Sequence, residues 1–170
     1  MIRRRLATGL ILTALLLAAS ASAALAAPRS YFDNSRASLT GDKEIPPNDS
    51  EGWGQARFML NGAGDELNYT LRVANIDNVT QSHIHCGGPD VNGPVVAFLF
   101  GFVAGGVTTT GILAEGVIDA ADIIPRPASP ECPGGVADFD DLIDKMQSGQ
   151  AYVNVHTVAF PGGEIRGQVQ

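Results

Sequence analysis

From Ala37 onward, short runs of alternating or β-branched residues are separated by clusters of Gly, Pro, Asn and Asp. Side chains on a strand alternate faces with a period of two, so each run can bury one face and wet the other. Many such runs predict an all-β, antiparallel, Greek-key-like sandwich or barrel. Ala37 to Thr40 opens the first strand, and a turn-rich stretch from Gly41 to Asp49 follows. Trp53 to Leu60 and Glu66 to Val73 form a hairpin across Asn61-Gly62-Ala63-Gly64-Asp65, residues that accept positive φ. Thr80 to Cys86 and Thr108 to Val117 are further strands, the second with Gly111 as a candidate bulge. Val95 to Phe100 is apolar throughout, which predicts burial on both faces.

One segment departs from period two. Val136, Phe139, Leu142, Ile143 and Met146 recur at helix spacing, with Asp138 placed as N-cap and Gly149 as a stop. A short amphipathic helix from Asp138 to Gln147 is expected, covering an end or edge of the β fold. The chain then returns to alternation in Ala151 to Thr157 and Glu164 to Val169, a hairpin around Pro161-Gly162-Gly163. One register keeps the alternation on both strands. It pairs Val155 with Ile165 on the apolar face, and Tyr152 with Gln168, Asn154 with Arg166 and His156 with Glu164 on the polar one. A slip of one residue would mix the faces. This register sets a carboxylate opposite a histidine at cross-strand distance.

The N-terminus lies outside the pattern. Arg3-Arg4-Arg5, an apolar run from Leu6 to Ala19 and small residues at Ala21-Ser22-Ala23 and Ala24-Leu25-Ala26 predict a secretory signal peptide over residues 1–26, cleaved after Ala23 or Ala26. The apolar run falls short of the roughly 20 residues of a spanning helix. A short segment, 27–36, then leads into a single β domain, 37–170. Removing the leader takes three of the 11 Lys/Arg and none of the 18 Asp/Glu, which leaves eight cations against 18 anions. Such a surface disfavours nucleic acid and anionic membranes and keeps a secreted domain soluble.

The only two cysteines, Cys86 and Cys132, sit in Gly/Pro-rich loops. In an oxidising compartment an even pair is usually bridged, and a bridge here would be worth on the order of 3–4 kcal/mol in the chain-entropy model. A thiolate ligand beside His85, or two free thiols, are the other readings.

All three histidines lie in predicted strands. His83 and His85 share a face, with Ile84 pointing the other way, and Asn154 and His156 share a face, with Val153 and Val155 opposite. If the two runs meet, three imidazoles converge on one polar surface. Neutral imidazoles suit zinc or copper, with a fourth position open to water or filled by Glu164 or Asp90. A purely structural role, with the rings bonded to backbone groups, Glu164 and Asn154, is the competing reading.

The segments His83-Ile84-His85, Gly93-Pro94-Val95-Val96-Ala97, Gly149-Gln150-Ala151-Tyr152-Val153-Asn154-Val155-His156-Thr157 and Pro161-Gly162-Gly163-Glu164-Ile165-Arg166-Gly167-Gln168 resemble the CHRD (chordin-type) domain, in its free-standing secreted microbial form. Ala37-Ser38-Leu39-Thr40-Gly41 and Glu44-Ile45-Pro46-Pro47 fit as well. The resemblance implies an extracellular all-β domain with no firmly assigned enzymatic activity. Its expected partner is an extracellular protein or ligand that the residues do not name.

Catalysis finds little support. A His-x-His strand in a secreted β fold is also similar to copper–zinc superoxide dismutase, whose two-metal site needs more histidines than the three present. No G-x-S-x-G elbow occurs, and no carboxylate pair stands out. The expected function is therefore non-enzymatic binding or structural support outside the cytoplasm. The alternative is a mononuclear copper or zinc protein, redox or hydrolytic, built on His83, His85 and His156.

Overall fold

The computed structural model describes residues 35–170. The expected signal peptide and residues 27–34 lie outside the described residues. Eight strands run β1 Ser35–Thr40, β2 Trp53–Leu60, β3 Leu67–Ala74, β4 Val79–Cys86, β5 Val95–Phe100, β6 Gly111–Ile118, β7 Ala151–Thr157 and β8 Ile165–Gln168, with helix α1, Phe139–Gln147, between β6 and β7. They form one antiparallel sheet in the order β5-β4-β7-β8-β1-β2-β3-β6, curled into a nearly closed barrel. The two end strands, β5 and β6, approach across the seam, where the Tyr69 hydroxyl donates to the Leu99 carbonyl at 2.7 Å. Among the described residues no helix is long and apolar enough to cross a membrane.

Alternation explains the core. On β2, Gly54, Ala56, Phe58 and Leu60 are buried, while Trp53, Arg57 and Met59 are exposed. Leu39, Leu67, Leu71, Ile84, Val153, Val155 and Ile165 fill the barrel interior. Each large aliphatic side chain buried this way contributes about 1.5–3 kcal/mol. The helix adds Phe139, Leu142, Ile143 and Met146 to the same core. Its first turn lies beside the β2–β3 turn at Gly64 and Asp65, so it covers one end of the barrel. The Asp138 side chain accepts from the Asp141 amide at 3.0 Å as N-cap, and Gly149, at φ +68°, ends the helix as expected.

Two expectations are corrected. Val95–Phe100 is not buried on both faces: β5 is an end strand, and Phe98 is 47 % exposed. The bulge on β6 is not at Gly111. Leu71 faces Ala114 and Arg72 faces Ile112, so Leu113 is the extra residue, while Gly111 opens the strand at φ +117°.

Strand β7 lies between β4 and β8, and every one of its residues is buried. Its inner face packs in the core. Its outer face is covered by two loops, 41–50 and 87–94. Close approaches fix this cover. A Cβ at Gly93 would overlap the Cys86 carbonyl, and one at Gly163, at φ +130°, would overlap the Glu44 carboxylate. The disulfide Cys86–Cys132 ties the end of β4 to the loop before α1 over a separation of 46 residues.

Candidate metal centre

The β4–β7 ladder brings the two histidine strands together. His83 faces Asn154, His85 faces Tyr152, and Gln81 faces His156. Because side chains at i and i+2 share a face, the three imidazoles meet on the outer side of the barrel. One ring nitrogen from each lies within 4.8 Å of those of the other two. Ring centroids are 5.5 Å apart for His83 and His85, and 5.0 Å for His83 and His156. All three are buried under the loop cover.

Hydrogen bonds set the tautomers. His85 Nδ1 donates to the Gly93 carbonyl at 2.8 Å, and His156 Nδ1 donates to the Pro161 carbonyl at 2.9 Å. A carbonyl can only accept, so both rings carry their proton on Nδ1 and a lone pair on Nε2. His156 Nε2 is buried without a hydrogen-bond partner among the described residues, and so is His83 Nδ1. His85 Nε2 lies 3.0 Å from Asn154 Oδ1. Two acceptors at that distance require either a rotated carboxamide, with its NH2 toward the ring, or a positive charge between them.

Burial, followed by repulsion from His156 and His85, pushes His83 down to about 4. Burial likewise holds His85 at about 4, against the opposing pull of the Gly93 carbonyl, and it lowers His156. The set is therefore neutral at pH 7. A metal ion needs imidazoles in that state, and hydrogen bonds from the far nitrogens to carbonyls are the usual means of orienting metal-bound histidines. The residues present fit one ion.

The expected fourth group is placed differently. The terminal ladder runs from Tyr152–Gln168 to Val155–Ile165, in the expected register, and ends before Glu164. The Glu164 carboxylate accepts from Ser50 Oγ at 2.7 Å and Thr157 Oγ1 at 2.5 Å, and it is not part of the imidazole cluster. Asp90 is exposed in the 87–94 loop and also lies outside the cluster. The anion expected beside the histidines instead anchors the 41–50 loop, where Asn48 Nδ2 donates to the Glu164 carbonyl at 3.0 Å.

The support around the cluster is a column of three groups. Tyr152 stacks on His85 at 4.7 Å and 11°, and the Arg166 guanidinium lies 3.4 Å over the Tyr152 ring. Arg166, 1 % exposed, donates to the Gly88, Val91 and Asn92 oxygens at 2.8–3.0 Å and so pins the 87–94 loop. Burial raises the nearby Glu44 to about 7 against the opposing pull of Arg166. The terminal register had placed Tyr152 and Arg166 on the polar face with the histidines, which was a signal for their role. Nothing in the alternation pointed to Glu44.

A nearly closed antiparallel barrel with a roofed imidazole cluster and one disulfide defines a small binding or structural β domain. The chain belongs to the CHRD domain family, whose pattern it matches over residues 35–169, nearly the whole described chain. No curated protein and no solved structure matches it.

Proposed function

We propose that this chain is a secreted, non-enzymatic CHRD domain that holds one transition-metal ion, copper or zinc, on His83, His85 and His156. One observation carries the metal reading. Three buried imidazoles each bring a ring nitrogen within 4.8 Å of the others, and two buried nitrogens, His83 Nδ1 and His156 Nε2, have no hydrogen-bond partner among the described residues. A structural role for the rings would satisfy those nitrogens, since a buried unpaired acceptor costs about 1–3 kcal/mol. The N-terminal leader pattern and the disulfide support an oxidising location outside the cytoplasm. Among the described residues no Cys, Asp or Glu joins the three imidazoles, which supports holding an ion.

Elemental analysis of the purified mature protein tests this. One equivalent of copper or zinc is expected, lost in His156→Ala with the far-UV spectrum unchanged. The absence of any bound metal after zinc, cupric copper and cuprous copper are each offered at neutral pH would overturn it.

A further inference from the structure

We infer that the cluster selects a monovalent, three-coordinate ion, cuprous copper, over zinc and cupric copper. The inference rests on the metal reading above and names its ion from the charges around the site.

The donors carry no charge. Three imidazoles form the group, and the amide of Asn154 is the polar side chain beside them. Each anion the sequence places nearby is engaged or distant. The Cys86 sulfur is in the disulfide, both Glu164 oxygens accept hydroxyl protons, and Asp90 lies exposed in its loop. The buried charge that does reach the cluster is positive: Arg166, through the Tyr152 ring stacked on His85. Glu44 is the acidic neighbour of that guanidinium.

The cost of taking an ion out of water grows with the square of its charge, so a dication pays about four times what a monocation pays. Zinc sites recover this with thiolates, carboxylates or a bound hydroxide, and cupric copper seeks four ligands in a plane. Three neutral donors beside a buried guanidinium offer no such compensation, and among the described residues no fourth His, Cys, Asp or Glu joins them. The cover also restricts water as a fourth ligand. All three rings are buried, and the Phe98 ring stands edge-on to His83 at 4.6 Å. A cuprous ion needs only three donors, carries one charge and accepts imidazole nitrogen.

Competition titrations on the metal-free mature protein test this. The probes are cuprous copper held under ascorbate and bicinchoninate without oxygen, zinc against a chromophoric chelator, and cupric copper followed by electron paramagnetic resonance. One equivalent of cuprous ion is expected, bound at least 100-fold more tightly than either dication. Asn154→Asp sets a carboxylate where an amide oxygen now lies 3.0 Å from His85 Nε2, and it is expected to narrow that ratio at least tenfold. Zinc or cupric binding as tight as cuprous, or a ratio unmoved by Asn154→Asp, overturns the inference and leaves the metal site standing. Failure of all three ions to bind overturns both.

Discussion

The outer faces of β4–β7 and of β2–β3 start from the same period-two pattern and end in opposite states. On β2–β3 the outward residues Trp53, Arg57, Met59 and Arg72 are exposed, and Trp53, Arg57 and Arg72 line an open groove with Gln55 and Thr70. On β4–β7 the outward residues His83, His85, Asn154 and His156 are buried as deeply as the core. The difference comes from the loops, not the strands. Two Gly/Pro-rich segments fold back over one half of the barrel and leave the other half bare. An exposed polar side chain loses little on folding, whereas a buried one must find a partner. Unpaired imidazole nitrogens therefore carry information on the covered half that arginines on the bare half do not.

Arg166→Leu strikes the cover hardest. It removes the cation bonded to Gly88, Val91 and Asn92 and leaves those oxygens and Glu44 without it. A loss of about 3–5 kcal/mol is expected from denaturant unfolding. A loss under about 1 kcal/mol would show that the guanidinium does not hold the loop.

Acid should weaken the covered half next. An unfolded histidine titrates near 6.5, while the native His83 and His85 sit at about 4 and His156 is also lowered. In that interval the unfolded chain binds more protons, so stability complete above pH 6.5 is lost as the pH falls toward 4. Glu44 opposes this: raised from 4.5 to about 7, it favours the native state at lower pH, and that benefit fades as the pH rises through 7. Three imidazoles outweigh one carboxyl. The melting temperature of the metal-free protein should rise from pH 4 to pH 6.5, and His83→Gln should flatten the rise. A flat wild-type profile would contradict the burial of the rings.

On the bare half, Trp53→Thr replaces a half-exposed indole with another good strand former. A change within about 0.5 kcal/mol is expected. A loss comparable to that of Arg166→Leu would mean the two faces do not differ as described.

Periodicity made most of this legible. Trp53–Leu60, Val95–Phe100 and Ala151–Thr157 have the bounds the pattern predicted, and the terminal register follows from keeping Val155 and Ile165 on one face. The meeting of the three imidazoles was conditional on two strands pairing, and they do pair. Side-chain destinations were not legible. Glu164 turns to Ser50, 114 residues earlier, because a hydroxyl there competes for its carboxylate, and no local pattern records that. Phe98 looked buried because the run around it is apolar, yet only position in the sheet decides whether a strand has two neighbours.

The seam of the barrel bears on how the protein behaves in company. An unpaired strand edge invites another chain to add to it, the first step of edge-to-edge aggregation. Here the two end strands lie against each other, and the Ile124 amide also donates to the Val96 carbonyl at 2.9 Å on the β5 side. By bonding part of its open edge to its own backbone, the domain leaves less of that edge for another chain to pair with, without completing the ring.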